Sequence, residues 1–134
     1  YVQSGHADYL DTDQLRELAA LPGCRIGSHG MHHYRLTELD EETLIRELAG
    51  SRHWLEDFLS RPVTAVAYPS GAVDERVRAA AARCGYTLGV CSRAGINRGV
   101  HDPLRLRRTE IVGRDTPRVF SQKLRGAWDW RGVA

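Results

Sequence analysis

Short apolar runs alternate with helical patterns along this chain, and that alternation limits its fold more than any other feature. Residues 9–21, YLDTDQLRELAAL, read as a helix capped by Asp11. Gln14 stands three residues on, as in a capping box, and Leu15, Leu18 and Ala19 supply the apolar face. Pro22-Gly23-Cys24 ends it, and residues 25–27 form a short strand. Asp40 caps a longer helix, where Glu41 and Glu42 favour the positive start and Leu44, Leu48, Leu55 and Leu59 recur at the helical period. A buried strand over residues 63–67 is broken by Tyr68-Pro69-Ser70-Gly71. An alanine-rich helix over 74–84 follows, stopped by Gly85. Residues 86–91 read as a strand and 104–112 as a further strand candidate. Pro117 sits in the first turn of a last helix.

Strands separated by helices pair in parallel through right-handed crossovers. The expected fold is therefore α/β, either a doubly wound sheet or an arc of a (β/α) barrel, in one domain spanning residues 1–134. In both architectures functional groups gather where strands end and loops begin. Residues 28–33 and 68–71 each follow a strand end, which puts the two most unusual stretches on one rim.

The formal net charge of +2 is too small to argue for nucleic acid or a membrane surface. No apolar run approaches the roughly 20 residues a membrane-spanning helix needs. Arg105, Arg107 and Arg108 form a short basic cluster in which Arg105 and Arg107, alternating along a strand, share a face; solvated edge charges are the plain expectation. Cys24, Cys84 and Cys91 are odd in number and lack CxxC spacing, so each reads as a small buried hydrophobe, not part of a disulfide framework. The compartment stays open. The chain opens on Tyr1, which suggests part of a longer product.

Half of the chain's six histidines, His29, His32 and His33, fall within five positions. If the segment turns helical after Ile26-Gly27, His29 and His33 stand on one face a turn apart, placed for adjacent corners of a zinc site. His29 with His32 is the rival pair. Capping, hydrogen bonding and solvent exposure are the competing uses of such residues, and two imidazoles alone do not make a zinc site.

Taken together, His29, His33 and Leu36 ahead of Asp40, the loop AYPSG after a strand, and the following VDERVRAAAARCGY resemble the polysaccharide deacetylases. This is the NodB-homology group of carbohydrate esterase family 4. The similarity is clear over residues 9–91 and thinner to 124. It implies a partial deformed (β/α) barrel and a divalent metal, commonly zinc, held by His29, His33 and an aspartate. It also implies hydrolysis of the N-acetyl amide of N-acetylated sugars. The metal would acidify water and polarise the amide carbonyl. The Ser70 N–H would stabilise the oxyanion in a loop shaped by Tyr68 and Pro69. A cell-envelope or secreted location is implied, with the cytoplasm left open.

The family's aspartate pair, which supplies the general base and third ligand, is not in this sequence. The chain is expected to begin after it, at what resembles the second strand, YVQSG. His6 and Asp8 are the nearest alternatives. Ala67 stands where many relatives have arginine, although some read FAYPYG, and Ser70 stands where tyrosine is common. The late leucine-x-histidine motif has no match, which leaves His101 as the one late candidate acid. Trp54 is expected to pack within its helix and His53 to be exposed. Trp128 and Trp130 could stack on sugar rings or cover a core edge.

Two readings follow. One is a metal-dependent deacetylase segment whose activity alone is uncertain. The other is a non-catalytic, degenerate domain that binds glycan or scaffolds a larger protein, an alternative against which the paired imidazoles argue. A barrel hydrolase of small amides is a third. An incomplete barrel leaves sheet edges open, so an upstream segment or self-association is expected to complete it.

Overall fold

The computed structural model describes residues 9–97, 99 and 102–127; His6, Asp8, His101, Trp128 and Trp130 lie outside them. Local signals place the helices. In α1 (Thr12–Ala20), Asp11 Oδ1 accepts the Gln14 N–H at 2.8 Å and Gln14 Oε1 accepts the Asp11 N–H at 3.0 Å, closing the capping box. α2 (Glu41–Leu59) starts at Asp40, which accepts the Thr43 N–H at 2.8 Å, and ends at Ser60 in the left-handed region. α3 (Glu75–Arg83) is capped by Asp74 and terminated by Gly85 at φ +85°. α4 (Pro117–Leu124) is capped by Thr116 and buries none of its residues.

Between the helices run β1 (Ala65–Ala67) and β2 (Leu88–Val90), paired in parallel with Ala65 opposite Leu88 and Ala67 opposite Val90. Ser28 adds a parallel bridge to Val66, and Leu106 adds one to Val90. The lateral order is therefore Ser28, β1, β2, Leu106, the same as the chain order. A doubly wound sheet reverses direction at a switch point; this array winds one way only. That is the arc of a (β/α) barrel, and it is not closed among the described residues.

Two expected strands shrink at its flanks. Residues 25–27 contribute no strand, only the bridge one residue later at Ser28. Residues 104–112 reduce to the Leu106 bridge because the chain enters through a 3-10 turn, Pro103–Arg105. There proline fixes φ and Asp102 caps the Leu104 N–H at 2.9 Å. A strand paired on one side gains half the ladder of a central one, so flanking segments yield to such local preferences first.

The core lies between the sheet and α2 and α3, built from Leu36, Leu44, Leu48, Val66, Val77 and Tyr86 with their neighbours. Arg52 stitches its edge: the guanidinium donates to the carbonyls of Cys84 at 2.6 Å and Val63 at 3.0 Å, joining the end of α3 to the approach to β1. Trp54 stacks on Phe58 within α2, and Arg16 of α1 lies over the Phe58 ring at 4.2 Å. His53 is exposed. Cys91 is buried, whereas Cys24 and Cys84 are only half-buried; all three are free thiols.

Tyr68, fully buried, sends its hydroxyl 2.8 Å to the Leu104 carbonyl, across β2. That crossing passes directly over Gly89, where a Cβ would run into both the Tyr68 hydroxyl and the Leu104 oxygen. Gly89→Ala is expected to cost about 1–3 kcal/mol by overpacking. Urea unfolding checks this, and a loss too small to resolve would refute the crossing.

Candidate functional site

After its bridge to Val66, Ser28 leads into residues 29–35, which are not helical. Gly30 and His33 adopt positive φ, +78° and +59°, and these left-handed residues turn the chain back on itself. The expected helical turn is therefore absent. The two imidazoles still meet: the rings of His29 and His33 lie edge to face with centroids 4.8 Å apart. Loop curvature brings them together in place of helical periodicity. His32 turns the other way and stacks on Tyr34 at 5.4 Å.

Glu47 of α2 holds this loop. It is only 3% exposed, and its Oε2 accepts the N–H groups of Met31 and His32, both at 3.0 Å. Its Oε1 lies 2.5 Å from His32 Nδ1. A buried carboxylate is tolerated when charge-assisted hydrogen bonds replace its water. Beside it, Ser28 Oγ meets Ser51 Oγ at 2.7 Å and accepts the Gly30 N–H at 3.3 Å, while the Tyr86 hydroxyl donates to the Leu48 carbonyl at 2.8 Å. Sequence reasoning missed Glu47 and Ser51. Their signal was present: two polar residues four apart inside the apolar stripe of α2, which also carries Leu44 and Leu48.

His29 Nδ1 sits 2.5 Å from the Ala67 carbonyl oxygen. A carbonyl only accepts, so Nδ1 carries the proton, and Nε2 presents the lone pair a metal requires. Ala67 closes β1, and the loop after it forms the other half of the site. A Cβ at Gly30 would meet the Pro69 ring at 3.6 Å, so the two loops are neighbours. Pro69–Gly71 makes a 3-10 turn in which Ser70, although not glycine, takes φ 55° and ψ 10°. Ser70 is exposed, and no acceptor among the described residues takes its N–H. Gly71, at φ +65°, is packed so tightly that a Cβ would run into Ser92.

Tyr68 is turned inward, and burial pushes its phenol up to about 12, so it stays protonated as the donor to Leu104. Its side chain faces the core, where it supports the loop from beneath; Pro69 is buried with it. An apolar cavity of about 350 Å³ opens beside the imidazoles, lined by Leu15, Ile26, Met31, Trp54 and Leu55 among others. Among the described residues, no group of three His, Cys, Asp or Glu side chains gathers to hold a metal ion.

The fold is a one-way α/β barrel arc whose strand-end loops carry a pair of touching histidines and a left-handed serine. The polysaccharide deacetylase family model matches residues 1–89, and the chain belongs to that family. It is similar to the Streptococcus pyogenes deacetylase PplD, solved in complex with acetate: 28% identity, TM-score 0.82, covering 89% of this chain and 52% of that one. It is also similar to BC0361, a polysaccharide deacetylase from Bacillus cereus, at 27% identity and TM-score 0.77, covering 86% of this chain and 36% of that one. The BpsB deacetylase domain from Bordetella bronchiseptica, at 17% identity and TM-score 0.69 over 75% of this chain and 48% of that one, shares the fold. The chain thus spans about half the length of the first of these relatives, and less of the others. No curated protein matches it.

Glu47→Gln puts an amide donor among N–H groups that need acceptors. It is expected to destabilise the fold by about 1–3 kcal/mol and to speed hydrogen exchange at Met31 and His32 far more than in β1. Unchanged exchange at those two amides would show that the loop is held by something else.

Proposed function

We propose that this chain is part of a metal-dependent deacetylase that hydrolyses the N-acetyl amide of N-acetylated sugars or polysaccharides. The observation that carries the reading is the bond from His29 Nδ1 to the Ala67 carbonyl. It fixes the tautomer that can ligate a metal, and it ties that imidazole to the strand end from which Ser70 presents its N–H. The relative from Streptococcus pyogenes was solved with acetate, the acid such a hydrolysis releases.

Two neighbouring imidazoles, one with its second nitrogen fixed by a carbonyl, suit two corners of a zinc site, and the third ligand would come from outside the groups gathered among the described residues. His29 and His33 would hold the cation at those two corners. When bound, the cation supplies Lewis acidity toward the amide carbonyl and lowers the pKa of water. In the reaction, water oxygen adds to the carbonyl carbon, the C–N bond breaks with its electron pair on nitrogen, a proton from the water passes to that nitrogen, and acetate and the free amine leave. The Ser70 N–H donates to the oxygen as it gains charge. The left-handed Ser70 backbone is preorganised for this, since the strain is borne by the fold before substrate arrives. Glu47 keeps the histidine loop in register without touching the reacting atoms.

Zinc binding by the full chain, followed by competition with a chromogenic chelator, is expected to be weakened on the order of 100-fold or more in His29→Ala/His33→Ala. Equal zinc affinity in the two proteins would overturn the metal assignment. A wild-type chain with no zinc uptake would favour a non-catalytic, glycan-binding domain.

Because the proposed donor at residue 70 is backbone, Ser70→Gly is expected to keep deacetylation within a few-fold on an N-acetylglucosamine oligomer. It also relieves the positive-φ strain, worth up to about 1 kcal/mol of stability. A rate loss well beyond tenfold would assign the role to the hydroxyl instead.

A further inference from the structure

Against the Pro69–Gly71 turn, a cleft of about 450 Å³ is lined by Gly71, Arg93, Asp102, Arg105 and Arg107 among others. Arg105, which ends the 3-10 turn instead of lying in the expected strand, and Arg107 both line this cleft, and Arg93 joins them from the loop after β2. Their charges are poorly compensated. The Asp102 carboxylate is already committed to Arg78 at 2.6 Å and to the Leu104 N–H at 2.9 Å. Arg105 has only a long contact to Glu75, 3.5 Å, and its buried Nε has no hydrogen-bond acceptor among the described residues. No carboxylate among the described residues pairs with Arg93 or Arg107.

Three arginines line the cleft against one engaged carboxylate, Asp102, with Glu75 touching only Arg105, so the lining is net positive, and an orphaned buried N–H is costly unless a ligand meets it. Guanidinium forks suit the paired oxygens of phosphate or carboxylate. Gly71 is shared between this cleft and the turn that carries the Ser70 donor, so a group bound here lies next along a chain crossing the site. We infer that the Arg93–Arg105–Arg107 cleft is an anion subsite that takes a phosphate or carboxylate carried by the acetylated glycan. The glycan as the source rests on the deacetylase reading; the anion site itself does not.

The test titrates inorganic phosphate into the full chain by calorimetry, beside Arg93→Gln/Arg107→Gln and the charge-keeping Arg93→Lys/Arg107→Lys, with circular dichroism to check that each is folded. Saturable binding is expected in the wild type, weakened at least tenfold in the glutamine variant, partly recovered in the lysine variant and reduced by salt. No saturable binding in the wild type, or equal binding in the glutamine variant, overturns the site. A second pair of titrations separates the sources: a tetrasaccharide of alternating N-acetylglucosamine and glucuronate against an uncharged N-acetylglucosamine tetramer. At least tenfold preference for the charged sugar, lost in the glutamine variant, supports the glycan source. No preference, with phosphate still bound, overturns that source and assigns the cleft to a free anion. His29→Ala/His33→Ala is run alongside: phosphate binding that survives it shows that the cleft stands even if the metal reading fails.

Discussion

A carboxylate removed from water needs donors, and Glu47 finds three of them on two consecutive residues, Met31 and His32. The rest of the site depends on that exchange. Residues 29–35 have no helix or ladder of their own to fix them, and two of them stand at positive φ. What gives the loop a single shape is an anchor projecting from the rigid middle of α2. The buried hydroxyls of Ser28, Ser51 and Tyr86 extend the anchor into the core, so the loop is tied to α2 and to the sequence that enters β2.

The one-way order of the parallel segments does the second part of the work. Because Ser28, β1, β2 and Leu106 lie side by side in chain order, their carboxyl ends share a rim. The histidine loop and the Pro69–Gly71 turn are then neighbours through Gly30 and Pro69. No long-range fit is required beyond parallel pairing, and this is why such arcs carry chemistry on their loops.

Tyr68 links the rim to the segment that follows β2. Its hydroxyl reaches Leu104 only because Gly89 has no side chain, and Leu104 is flanked by Arg105. One buried phenol thereby fixes both the turn that presents Ser70 and the edge that presents the arginines. The imidazoles line an apolar cavity, and Gly71 of the turn lines a basic cleft.

Interactions spanning three or four residues were legible in the chain itself. The caps at Asp11 and Asp40, the stop at Gly85, the proline that opens the last helix and the helices they bound follow from local hydrogen bonds and periodicity, whereas the Asp74 and Thr116 caps were seen only in the structure. The motif residues His29, His33 and Ser70 stood out by type and spacing. Their geometry did not, because it is decided by partners far along the chain: Ala67, 38 residues from His29, and Glu47, 15 residues from His32. Spacing suggested a helical turn at the histidines, and only the tertiary anchor shows how a loop brings the same rings together. The sequence by itself determined where α1 to α4 lie, which segments between them could pair in parallel, and which side chains could do chemistry. The tertiary structure decided where those side chains meet, since a buried charge and a flanking strand take their conformations from whatever donors the rest of the fold brings to them.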